Sequence, residues 1–131
     1  MYFLLQVAAS LASVDEWQFD SFKLMTASAG RPLSCLAFFL FKRMKLMSTF
    51  RLNEAKFVRF LIRVEDGYPD NPYHCRSHAA DVLRSFHAVL HRGGVLKAVV
   101  ASAKARLNSG DLDPPTLPPT AVRIDPPDQV A

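Results

Sequence analysis

The strongest constraint on this chain is the three- and four-residue spacing of its apolar side chains, cut at short intervals by helix breakers. Leu36, Phe39, Leu40, Met44 and Met47 recur at that spacing, and so do Phe57, Phe60, Leu61 and Val64. This is the period of helices with one buried face. Breakers fall at Ala27 to Pro32, Gly67-Tyr68-Pro69, Gly93-Gly94 and Asn108-Ser109-Gly110. The spacing therefore predicts an all-α chain of consecutive helices.

A first helix follows a cap at Ser13 or Asp15 and carries Trp17, Phe19, Phe22, Leu24 and Met25. A second covers Leu33 to Phe50. The third starts from Asn53, runs through Glu65 and turns Phe57, Phe60, Leu61 and Val64 inward. A fourth opens at Asn71-Pro72 or Ser77 and runs to Arg92, with Val82, Phe86 and Val89 as its buried stripe, and Val95 to Leu107 forms one more. Residues 1–13 are apolar but lack the basic start of a secretory signal, and they are too short for a membrane span. The run from Cys35 to Phe41 stops at Lys42-Arg43, far short of the roughly 20 residues a bilayer needs. Residues 108–131 hold the pairs Pro114-Pro115, Pro118-Pro119 and Pro126-Pro127. Six of the nine prolines lie there, so an extended or disordered tail is expected.

Composition removes several classes of function. The net charge is +4, but the cations are spread over several helices, and Lys42, Arg43 and Lys45 form only a short cluster without a nucleic-acid-binding motif. No nucleic-acid partner is expected. Cys35 and Cys75 make no disulfide framework, which fits a reduced, cytoplasmic setting. Cys75 with His78 falls short of the four ligands of a structural zinc site.

Chemistry concentrates in Asn71-Pro72-Tyr73-His74-Cys75-Arg76-Ser77-His78-Ala79-Ala80-Asp81-Val82, where two imidazoles stand four residues apart at the entry to a helix. Groups at i and i+4 share a helical face and can serve one ligand or reacting group. His87 lies nine residues beyond His78, about half a turn off at ~100° per residue, so it faces away. His87 and His91 form a separate pair with a packing or solvated role.

The order Tyr73-His74, three residues, His78-Ala79-Ala80-Asp81-Val82, then His87 and Leu90, resembles the opening signature of class I cyclic-nucleotide phosphodiesterase catalytic domains. Upstream, Trp17-Gln18-Phe19-Asp20, Phe22-Lys23-Leu24, Phe41-Lys42-Arg43 and Phe60 through Tyr68 are similar to that family's leading helices, the calcium/calmodulin-regulated branch most of all. The resemblance implies that His74 is the general acid, that His78 is a metal ligand and that Tyr73 borders the substrate pocket. It also implies hydrolysis of cAMP or cGMP to the 5′-monophosphate in signal transduction, with zinc and a second divalent ion such as magnesium or manganese as cofactors. Such chemistry suits the residues: metal ions offset charge on an anionic phosphodiester, and an imidazole with an unperturbed pKa near ~6.5 can protonate a leaving alkoxide.

The chain departs from the family pattern at Cys75, where Asn is usual, and at Arg84, where Gln is usual. No His-Asp metal motif follows His91. At 131 residues the chain is shorter than such a catalytic domain. The organisation expected is an apolar entry over 1–13, a partial catalytic domain over 14–107 and the proline-rich tail. A piece with this ligand set is expected to be inactive alone, with apolar helix surface left for a protein partner. The alternative reading is a noncatalytic remnant that binds a homologue or regulator through those helices.

Overall fold

The protein, a computed structural model, is described over residues 2–110. Its helices are α1 (Tyr2–Ala12), α2 (Ser21–Ala27), α3 (Pro32–Arg43), α4 (Leu46–Thr49), α5 (Glu54–Asp66), α6 (Arg76–Arg92) and α7 (Val95–Ser109). Among the described residues the fold is all-α. Two compact units divide at Ala98, and α7 crosses the division. The proline-rich pairs fall outside the described residues.

Within the first unit, Leu24 and Leu36 are fully buried beside Leu11, Val14, Leu33, Leu40 and Ala80. The core thus joins α1, α2, α3 and α6. Asn53 opens α5 as expected, its side chain accepting from the Lys56 amide at 3.0 Å. One of the orphan donors of the first turn is thereby satisfied. Asp20 does the same for α2, accepting from the Lys23 amide at 2.9 Å.

The expected cap at Ser13 or Asp15 is corrected. The chain stays irregular until Ser21, and Trp17 and Phe22 are exposed. Asp15 is engaged over long range: it accepts from His87 at 2.8 Å and pairs with Arg43. The single helix expected over 33–50 is divided, because Lys45 takes a left-handed conformation at φ 58°. That turn restarts the chain as α4, whose Met47 is buried.

The helix α3 is opened by Pro32, whose missing N–H is no loss at a first helical position. Its own N-cap, Arg31, makes no side-chain capping bond. Glu65, projecting from α5, caps it instead. The carboxylate accepts from the amides of Leu33 at 2.8 Å and Ser34 at 3.4 Å, and from the Ser34 hydroxyl at 2.5 Å. Glu65 is completely buried, and its neighbour Asp66 holds Arg31. The inner face of α5 is therefore Leu61 and Glu65, while Phe60 and Val64, expected inside, are exposed. Phe57 is half-buried, its ring 4.6 Å from that of Phe41.

The expected buried stripe of α6 is also corrected: Val82, Phe86 and Val89 are exposed, and Ser77, Ala80, Arg84, His87 and Ala88 face inward. Ala80 and Ala88 are small enough to let α6 approach its neighbours closely, and the bond from His87 to Asp15 fixes its rotation.

Candidate active site

The site begins at a tight turn. The Cys75 amide donates to the Tyr73 carbonyl at 2.9 Å, a three-residue turn that leaves His74 at its tip, exposed. The Cys75 carbonyl then accepts from the Ala79 amide at 3.0 Å, and α6 starts at Arg76. Neither Asn71-Pro72 nor Ser77 opens the helix. Cys75 occupies the N-cap position without a side-chain bond. His78 lies in the first turn, whereas His74 precedes the helix, so the two are not stacked on one helical face. Even so, their ring centroids are 6.0 Å apart.

Tyr73 joins them. Its ring centroid is 4.3 Å from that of His78 and 5.0 Å from that of His74. The structure therefore brings together all three residues that the sequence singles out. His78 is half-buried and Tyr73 is exposed at 65%. His78 also shares a cavity of about 200 Å³ with Ser21, Phe22, Tyr73, Cys75 and Asp81. The spacing of the histidines does not disclose Asp81 and Phe22 as neighbours. For Asp81 a signal exists in its i+3 relation to His78; for Phe22 none does, because the contact depends on how α2 meets α6.

His87 is placed elsewhere, as its half-turn offset from His78 requires. It is 3% exposed, and its ring centroid is 4.4 Å from that of His91. Burial pushes the Asp15 carboxyl up, but the hydrogen bonds from His87 and Arg43 and the Arg43 charge outweigh it, so the group sits below its ordinary value. This cluster ties the segment before α2 to α3 and α6. Cys35 is no activated thiol, since burial, with Glu65 nearby, pushes it up.

The donor set falls short of a divalent-ion site. Among the described residues no three His, Cys, Asp or Glu side chains gather as a metal-binding group. Catalytic zinc commonly takes three protein ligands and structural zinc four. His78 with Asp81 supplies two, and Cys75 lines the same cavity without completing a group of three. One copy of these residues does not fit the ion.

No protein-family model matches the chain. It is 38% identical over 91 residues to the human dual specificity calcium/calmodulin-dependent 3′,5′-cyclic nucleotide phosphodiesterase 1C, a match covering 68% of this chain and 13% of that protein. The Drosophila melanogaster dual specificity calcium/calmodulin-dependent 3′,5′-cyclic nucleotide phosphodiesterase 1 is 36% identical over 92 residues, 69% of this chain and 11% of the relative. A probable 3′,5′-cyclic-AMP phosphodiesterase of Caenorhabditis elegans, pde-4, is 33% identical over 85 residues, 65% of this chain and 13% of the relative. The chain belongs to the cyclic-nucleotide phosphodiesterase family. It spans about 13% of the human relative's length. Among the described residues no single helix is long and apolar enough to cross a membrane.

Proposed function

We propose that this chain contributes part of the catalytic site of a cytoplasmic enzyme that hydrolyses cAMP or cGMP to the 5′-monophosphate in signal transduction. The observation that carries this reading is the convergence of His74, His78 and Tyr73, with the imidazoles 6.0 Å apart. In the reaction, the oxygen of water forms a bond to phosphorus as that water gives up a proton to solvent, and the bond from phosphorus to O3′ breaks. His74, at the exposed tip of its turn, gives its N–H proton to the departing O3′. Tyr73 offers an aromatic edge to the nucleotide.

Divalent metal dependence goes with the family, and zinc with magnesium or manganese is the pair we assign to it. His78 would be one ligand. Because the described residues supply too few donors, we expect the isolated chain to show no turnover with cyclic nucleotide, zinc and magnesium. Residues 14–107 are the catalytic-domain part in this reading, with 1–13 an entry segment and 108–131 a tail.

The test is a chimera in which the matched stretch of the human 1C relative is replaced by the corresponding residues of this chain. Cyclic-nucleotide hydrolysis should persist, and His74→Ala should lower kcat by at least about 10²-fold, the contribution of a positioned general acid. An active chimera indifferent to His74→Ala would remove the assignment.

A further inference from the structure

The helix α7 has no buried residue, and its Val95, Leu96, Val99, Val100 and Leu107 are all exposed. At ~100° per residue those five fall within one arc of about 140° around the axis, with Ala103 near its middle. Lys97 and Lys104 stand about 40–60° beyond one edge of the arc, and Arg106 lies within about 20° of the other. The remaining positions are alanine, serine and asparagine. No aspartate or glutamate occurs in the helix, and none of its three cations forms an ion pair among the described residues. Asp111 and Asp113 come only after the helix has ended.

An apolar arc bordered on both sides by unopposed cations complements a surface that is negative outside and oily beneath. We propose that α7 lies flat on an anionic lipid surface, its valines and leucines in the acyl boundary and Lys97, Lys104 and Arg106 against the headgroup charges. Length requires that orientation. At ~1.5 Å per residue the helix is about 22 Å long, short of the ~30 Å hydrocarbon core.

The acidic rim of a protein groove is the other surface such charge would suit. Groove recognition, however, rests on bulky anchors that fill pockets, aromatic ones above all, and the apolar face of α7 offers only valine, leucine and alanine. A lipid interface conforms to so shallow a face and needs only apolar area and charge. Near an anionic leaflet each cation is worth about fivefold in partitioning, and three together about 10²-fold. Salt weakens that attraction as the Debye length contracts. The proposal goes beyond the hydrolytic reading, since a chain that turns over no nucleotide would still bind the surface.

The experiment is vesicle flotation of the full 131-residue chain, which separates bound protein from aggregate. At about 0.1 M salt, phosphatidylcholine vesicles with roughly 30% phosphatidylserine should bind it at least tenfold more strongly than phosphatidylcholine alone, and about 0.5 M salt should remove most of that difference. Lys97→Gln, Lys104→Gln and Arg106→Gln combined should weaken binding about 10²-fold. Val99→Ser with Leu107→Ser, which keeps every charge, should weaken it at least about tenfold. Lys45→Gln with Lys56→Gln, cations outside α7, should leave it unchanged. Circular dichroism checks helix content; if the triple variant loses helix, Lys97→Gln with Lys104→Gln serves in its place, at about 25-fold. Equal binding to both vesicle types, no binding at low salt, a triple variant that floats like the wild type, or an equal loss from the Lys45 and Lys56 pair would each overturn the proposal. So would a chain that ignores vesicles and binds calcium-loaded calmodulin through α7, because that outcome assigns the helix to an acidic protein groove.

Discussion

The core of the first unit is built largely from leucines, whereas the two faces of α6 reverse the usual assignment of residue types. Glu65, His87 and Arg84 are buried, while Val82, Phe86 and Val89 face outward on a helix whose inner side is polar or small. The contrast shows that the rotation of α6 follows specific polar ties and small residues rather than bulk hydrophobicity. Where a buried polar group has partners it fixes the register of two elements. Where apolar groups have none, as on the outer face of α6, the surface is available to something other than water.

Removing Glu65 should have the largest effect. Glu65→Ala deletes the acceptor for two amides and a hydroxyl at the start of α3, leaving buried donors unsatisfied at about 1–3 kcal/mol apiece, partly relieved by entering water. A loss near ~3 kcal/mol is expected from urea unfolding, with Glu65→Gln losing less because it keeps one acceptor oxygen. A loss under about 1 kcal/mol would mean that the buried polar tie is dispensable.

His87→Ala comes next, at about 2 kcal/mol, since it removes a buried ring and its bond to a carboxylate. The tie also carries a pH signature. The Asp15 carboxyl is held below its ordinary value, so its contribution is fully present above the unfolded-state pKa near ~3.9 and is lost as pH falls through the lower folded value. The gap in stability between the wild type and Asp15→Asn should therefore be constant near neutrality and shrink below about pH 4. A gap unchanged down to pH 2 would show that Asp15 gains nothing from His87 and Arg43.

Arg84 tests the converse, a buried polar group without partners. It is 6% exposed, and its Nε and Nη2 have no hydrogen-bond partner among the described residues. Its guanidinium carbon stands 5.5 Å from the centroid of the Phe19 ring, a cation–π contact that offsets part of the desolvation cost. Arg84→Gln, which restores the family's usual residue, should raise stability by about 1 kcal/mol. Destabilisation of that size would show instead that the contact with Phe19 outweighs the orphaned donors.

Much of this architecture can be read locally. The three- and four-residue apolar spacing marks α3 and α5, Asn53 marks the start of α5, and Gly93-Gly94 closes α6, because capping and breaking act within a few residues. The signature around Tyr73, His74 and His78 likewise singles out three residues whose rings the fold brings close together. What local reading misses is orientation. Val82, Phe86 and Val89 make the more hydrophobic stripe, yet Ala80 and Ala88 permit close approach to neighbouring helices and Asp15, 72 residues from His87, fixes the rotation. Glu65 follows an apolar stretch, and its burial follows only from the first-turn amides of α3 across the fold, which have no acceptor within their own helix. The part played by Asp81 and Phe22 in the cavity has the same long-range origin.

The smallest expected effect probes the exposed stripe itself. If the outer face of α6 contributes nothing to folding of the single chain, Phe86→Ser should change unfolding free energy by less than about 0.5 kcal/mol, the usual range for a surface position. Burying a phenylalanine is worth about 1.5–3 kcal/mol, so the two cases separate cleanly in urea titrations run in EDTA. A loss above about 1.5 kcal/mol would mean that Phe86 is covered within one chain and that the inversion of α6 does not hold in solution. A loss within the smaller range, with no change in helix content, would leave that phenylalanine's role to contacts made outside the monomer.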